Sequence, residues 1–335
     1  MTPVNETLAQ YSELFMLIAA LIYLVAFLFF SWDMATASKS IRTLEAELET
    51  EKAKELVGSD GVTVIDNAPP TRDATKLVSD DMEYTDGIKR PAANIAVAIM
   101  VLAALAHAFA VIARGVAASR APWGNLYEFM TSGALVISLV YLVFLLRKDL
   151  RFVGTFVSGI VLLMMMAATI GFPTPVGNVQ PALQSWWLIT HVSVAVLASG
   201  LFALTFAMSV LQLIKQRAEK QHQVTGFMRL VPSSMALENW SYRLNAIGFV
   251  MWTFTLIAGS IWAEQAWGRY WNWDAKEVWT FVIWVIYAGY LHARATRGWT
   301  GTRSAWLNII GFLALVFNYT IVNIYFPSMH SYAGF

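Results

Sequence analysis

Eight apolar runs, each about 20 residues long, constrain this chain more than any other feature. They fall near residues 14–31, 92–113, 127–146, 152–172, 186–214, 244–263, 278–295 and 305–326. Twenty residues of helix rise about 30 Å, the thickness of a bilayer's hydrocarbon core. Lipid offers no hydrogen bonds to the backbone, so a crossing segment must satisfy its own peptide groups. These runs are apolar all round and lack the alternation of barrel strands, which leaves helices. Only 13% of the residues are charged, about half the share of a soluble protein. The expected fold is an all-α polytopic membrane protein with about eight transmembrane helices.

Basic residues orient such a chain, because Lys and Arg collect in cytoplasmic loops. Of the 23 Lys and Arg residues, 19 fall in the connections after the first, third, fifth and seventh runs. Arg114, Arg120, Arg269 and Lys276 remain for the other side. Both termini are therefore expected outside, as is the connection between the sixth and seventh runs. Three regions follow. Residues 1–31 form a first transmembrane helix with an outside N-terminus. Residues 32–91 are cytoplasmic: Ser38 to Val57 reads as a short charged helix with Ile41, Leu44 and Leu48 on one face, and Gly58 to Arg90 as a disordered spacer. Residues 92–335 form the main membrane domain, with an external tryptophan-rich loop at 262–279.

The chain has no cysteine. Thiolate catalysis, disulfide exchange and iron–sulfur ligation by its own residues are excluded. A net charge of +1 gives no basic excess for a nucleic-acid partner. The first run has Glu6 and Glu13 ahead of it and no Lys or Arg, so it is expected to be an anchor and not a cleaved signal.

Six of the fourteen tryptophans lie between residues 262 and 284: Trp262, Trp267, Trp271, Trp273, Trp279 and Trp284. An aromatic belt at headgroup level is the ordinary role of such residues. A belt, however, is scattered over many helix ends, and these are concentrated in one. Indole faces beside a few charges suit a large flat ligand with acidic edges, and haem has that shape. Arg269 and Lys276 are candidates to pair with its propionates, although an ordinary solvated loop accounts for Lys276 almost as well. Asp274 and Glu277 are anionic and are read as holding the loop by accepting N–H bonds.

Of five histidines, His222 sits in a basic cytoplasmic loop and reads as a surface residue. His191, about a turn into the fifth run, and His330, just past the eighth, share the depth of the tryptophan loop. They are candidate axial ligands to one iron. His292 lies thirteen residues past Trp279, about 20 Å along a helix. It is either a ligand of a deeper, transmembrane haem or a structural histidine. His107 has no assigned role.

The segment 267–279 resembles the tryptophan signature of haem-handling proteins in cytochrome c maturation. More closely, the chain resembles the CcsA/ResC family, the membrane half of the system II cytochrome c synthase. Four further segments carry the likeness: Pro122-Trp-Gly-Asn-Leu-Tyr-Glu128, Pro181-Ala-Leu-Gln-Ser-Trp-Trp-Leu-Ile-Thr-His191, Tyr290-Leu-His292-Ala-Arg294 and His330-Ser-Tyr-Ala-Gly-Phe335. The resemblance implies haem b as substrate, His191 and His330 as external ligands, and His292 as one ligand of a transmembrane site. Trp267, Arg269, Trp271, Trp273, Asp274 and Trp279 would surround the haem. It also implies a ResB/CcsB-like partner, apocytochrome c as acceptor, a thiol-reducing partner, and a place in the bacterial plasma membrane with the active face outside. Other readings are a haem delivery protein of the other maturation system, a b-haem electron-transfer subunit, and a transporter of an unrelated solute.

Overall fold

The computed structural model describes residues 3–57, 79–83, 90–178, 184–326 and 328–329. Among them all regular structure is helical. The helices are α1 Glu6–Val57, α2 Pro91–Ala117, α3 Leu126–Leu145, α4 Gly154–Met166, α5 Trp186–Lys220, α6 Ser234–Trp267, α7 Ala275–Arg297, α8 Thr302–Phe317 and a single turn, α9 Asn323–Tyr325. A π turn, Ala167–Gly171, extends α4, and another, Asn318–Val322, joins α8 to α9.

Seven stretches among the described residues are long and apolar enough to cross a bilayer, and α7 is the one predicted span outside that set. Its 23 residues suffice in length, but Trp279, Trp284, Tyr287, Tyr290 and His292 dilute its apolarity. Contacts show that it runs along α6 in the opposite direction. Near one end Trp252 donates its Nε1–H to Thr280 O at 3.1 Å. Near the other, Arg294 pairs with Glu238. Both ends of the described chain lie at the end of the bundle that carries the tryptophan loop. Asn5 N–H donates to Ala117 O at 3.0 Å, and Met329 N–H to Asp274 Oδ2 at 2.8 Å.

The first predicted span and the charged helix after it are one element. α1 has 52 residues, about 78 Å if straight. No Gly or Pro interrupts it after Trp32, and Asp33, which would otherwise be a buried lone charge, pairs with Arg90 at the foot of α2. Of the predicted apolar face, Ile41 is buried, while the side chains of Leu44 and Leu48 lie outside those described. Most of the predicted spacer also lies outside the described residues. Residues 79–83, however, are folded onto the bundle: Met82 is buried, and Asp80 Oδ1 accepts from Ser233 N–H at 3.2 Å.

A polar clamp fixes the second half of the bundle. Thr205 of α5 donates to Asn245 Oδ1 of α6 at 2.7 Å, and Asn245 Nδ2 donates to Asn308 Oδ1 of α8 at 3.0 Å. Asn308 Nδ2 returns to α5, at Thr205 O and Ser209 Oγ, 2.9 and 2.8 Å away. All four residues are buried. Amides in an apolar bundle have few alternative partners, so this closed ring specifies the register of three helices. In the first half, shape also sets the register. A Cβ on Gly154 would stand 2.4 Å from the Phe30 ring, so α4 starts against α1 only where it has no side chain. Gly154→Ala is expected to destabilise the protein by about 1–3 kcal/mol through overpacking. Thermal unfolding in detergent checks this, and the Gly154→Ala/Phe30→Ala double variant should lose less than the two single effects combined.

Candidate functional site

The α6–α7 connection is held by its own backbone. Gly268, at φ 74°, ends α6 in the left-handed region and donates its N–H to Glu264 O at 2.8 Å. Asp274 and Glu277 start α7 as a capping box. Asp274 Oδ1 accepts from Lys276 N–H at 2.8 Å. Glu277 Oε2 accepts from Asn272 N–H at 2.9 Å and Asp274 N–H at 3.1 Å. These two amides flank Trp273, whose φ of 58° is unusual for a side-chain-bearing residue. The strain is maintained by the carboxylate on either side of it. Asp274 also accepts from Met329, so the loop and the chain's far end are joined one residue before His330. His330 itself lies outside the described residues.

Beneath the loop is a cleft lined from α3, α5, α6, α7 and the turn after α8. It is a slot with a volume of about 130 Å³. Trp123, Trp252, Trp262, Trp267 and Trp271 are among its walls, and His191 opens onto it. The His191 Nδ1 lies 3.0 Å from Thr255 O. A carbonyl only accepts, so Nδ1 carries a proton; in the neutral ring the lone pair is then on Nε2, the atom that would meet a metal. The imidazole lies edge-on to Trp262, ring centres 5.7 Å apart. Gly259 makes room for it: a Cβ there would be 2.7 Å from His191 Cε1.

Lys276 is the cation in the cleft wall. Its Nζ donates to Asn318 O and Asn323 Oδ1, both at 3.0 Å, and stands 4.5 Å from the centre of the Tyr319 ring. Tyr319 in turn stacks on Phe129 of α3 at 4.2 Å. The π turn 318–322 supplies this geometry by shifting Asn318, Tyr319 and Asn323 out of regular helical register.

The remaining candidates are dispersed. Trp273 is 78% exposed and packs edge-on against Trp271. Arg269 is exposed on the loop. Trp279 is turned away from the slot onto Phe317 of α8. His292 is exposed at the opposite end of α7. His191, Trp267 and Trp271 therefore share one cleft. Lys276, a candidate propionate partner, and Trp262 of the tryptophan cluster join them, as do Trp123, Tyr319 and Asn323. Trp123 lay in a quoted motif and Lys276 in the tryptophan segment, but nothing in the sequence marks Tyr319 or Asn323.

Behind the α3 wall, Glu128 is 0% exposed. It accepts from Arg114 Nε at 2.9 Å, Arg120 Nη1 at 2.6 Å and Gly124 N–H at 2.8 Å. The arginines continue to Thr174 O and Gly177 O at 2.6 and 3.0 Å. One carboxylate thereby ties the α2–α3 loop to the segment after α4. His107 is also buried, edge-on to Tyr23, well away from the cleft.

The fold and cleft together define a polytopic membrane protein with one imidazole-bearing aromatic slot at one end of its bundle. The chain matches the cytochrome c assembly protein family over residues 123–330 and belongs to that family. It is of the CcsA type. It is 36% identical to the cytochrome c biogenesis protein CcsA of Guillardia theta over 232 residues, 63% of this chain and 76% of that protein. With the Prochlorococcus marinus CcsA the identity is 34% over 259 residues, 68% and 80% of the two chains. In three dimensions the chain is similar to a cytochrome c haem lyase, CcmF, with a TM-score of 0.60 at 17% identity. That match covers 93% of this chain and 46% of the solved one, and it shows the shared fold. The protein is thus an integral membrane protein with a role in cytochrome c maturation.

Glu128→Gln is expected to cost about 3–5 kcal/mol, because a buried guanidinium, Arg114, and a half-buried one, Arg120, lose their counter-charge. Glu83→Gln, at an exposed pair with Lys148, should cost under about 1 kcal/mol. Unfolding midpoints of the two variants in the same detergent make the comparison.

Proposed function

We propose that this chain holds haem b, as a substrate, in the slot beneath the 262–279 loop and presents it to apocytochrome c. The observation that carries the reading is the placement of His191: an imidazole with its proton fixed on Nδ1, set in a narrow tryptophan-walled slot, in a chain of a cytochrome c assembly family. Among the described residues no three His, Asp or Glu gather as a metal site, which suits an iron that brings four nitrogens of its own. His330 is the proposed second ligand. It directly follows Met329, which is bonded to the loop's Asp274. Lys276 and Arg269 are the proposed partners of the propionates, one in the wall and one at the rim. Trp267 and Trp271 face the porphyrin in this reading, and Trp273 and Trp279 support the loop from outside the slot.

The chemistry required of the chain is positioning. Each thiol of a Cys-x-x-Cys-His segment adds across one haem vinyl group, its sulfur to one carbon and its hydrogen to the other, so no oxidant is consumed. The slot fixes the haem's orientation and excludes water from its faces. The acceptor's histidine then replaces one axial imidazole and the product leaves. A thiol-reducing partner keeps the acceptor's cysteines available. We place the cleft on the outer face of a bacterial plasma membrane, in keeping with the basic residues at the opposite end. His292, exposed at that opposite end, is assigned to a second, transmembrane haem whose other ligand comes from a ResB/CcsB-like protein.

Optical spectra of the purified protein, co-expressed with such a partner, test this. The wild type should show a six-coordinate haem. His191→Ala and His330→Ala should each alter that signal and abolish c-type cytochrome formation, and His292→Ala should change a separate component. Full covalent cytochrome from both outer variants would sink the ligand assignment, and a haem-free wild type would sink the whole reading.

A further inference from the structure

The opposite end of the bundle holds a second cavity, of about 720 Å³, that haem presentation does not use. One wall is α1, where residues 31, 35, 38 and 42 recur at helical spacing on one face. The other is the turn 225–229 ahead of α6. This wall is built in place: Ser38 Oγ donates to Gly226 O at 2.5 Å, and Lys215 Nζ to Met228 O at 2.8 Å. Three cations line the cavity, Lys39, Arg42 and Arg229, and none of the described lining residues is acidic. Met34, Ala35 and Phe227 give it an apolar side.

Its depth is set by its neighbours. Phe30 lies against Gly154 at the start of α4, and Asp33 pairs with Arg90, one residue before α2 begins. The apolar spans therefore end at this level, and Trp32 is exposed there, as interfacial tryptophans are. The cavity starts at the hydrocarbon edge and runs about three turns beyond it, through the layer where lipid phosphates lie. Long basic side chains reach back toward that layer with their stems on apolar surface.

We propose that this cavity is a binding site for an anionic phospholipid, its phosphate held by Lys39, Arg42 and Arg229 and its glycerol and upper acyl carbons by the apolar side. Basic pockets between transmembrane helices recognise such headgroups. The site is independent of the haem reading.

The test is native mass spectrometry of the full chain from nanodiscs of phosphatidylcholine with and without phosphatidylglycerol. Phosphatidylglycerol should be retained in preference. The Lys39→Gln/Arg42→Gln/Arg229→Gln variant should lose roughly a hundredfold in retention, each cation being worth about a factor of five. If the triple variant does not fold, Lys39→Gln and Arg42→Gln, both at exposed positions, should each lose about fivefold. Lys39→Arg/Arg42→Lys/Arg229→Lys should keep the lipid. Equal retention of phosphatidylcholine would overturn the proposal. So would displacement of the lipid by inorganic phosphate alone, which would make this a free-anion site, or by haemin, which would make it a propionate site.

Discussion

The ring of hydrogen bonds through Thr205, Asn245 and Asn308 is the interaction on which the rest of the structure depends. In a bilayer the hydrophobic effect holds a helix in the membrane but does not say how it meets its neighbours. Leu against lipid and Leu against Leu differ little. Amide and hydroxyl groups do distinguish registers, because a slip of one residue leaves them without partners. The ring fixes α5, α6 and α8 to one another midway through the bundle, and these helices carry His191, Gly259, Trp262 and the π turn to the cleft above. The cleft is a consequence of that register.

The same economy governs the charges. Arg114 and Arg120 lie on the side of the bundle that is poor in basic residues, and both are accounted for by one buried carboxylate, Glu128. Asp33, within α1, is matched by Arg90, and Glu238, within α6, by Arg294. Lys276 differs. It is held by a carbonyl, an amide oxygen and an aromatic face, which orient an ammonium toward the slot. A cation retained in a wall in this way is suited to meeting an anionic group that arrives and leaves.

The loop carries backbone strain. Trp273 occupies a conformation normally left to glycine, and a single carboxylate oxygen of Glu277 accepts the amides on both sides of it. Such geometry persists where surrounding bonds impose it, and it is commonest at functional sites. Here it turns a large aromatic outward at the mouth of the cleft, while Trp267 and Trp271 face in. The tryptophan segment thus divides into residues that line the slot and residues that shape its entrance.

Hydrophobic run length and the scarcity of charge within the runs determined the polytopic helical fold, because the bilayer's thickness and its lack of hydrogen-bonding solvent leave a helix no alternative. The tryptophan segment and His191 were legible for a similar reason: indole and imidazole are rare enough in a membrane chain to stand out against leucine and alanine. Only the tertiary structure decided which of these residues meet. Trp279 and Trp271 look equivalent in the sequence, yet Trp279, on α7, packs on Phe317 of α8, while Trp271, in the loop, lines the slot. Tyr319 and Asn323 became part of the site through a π turn, a change in hydrogen-bond register that apolar periodicity does not encode. Past Trp32, α1 likewise carries Asp33 into a pair with Arg90, 57 residues away from it in the chain. Composition and period follow from local chemistry; the company a side chain keeps is settled by the packing of the whole bundle.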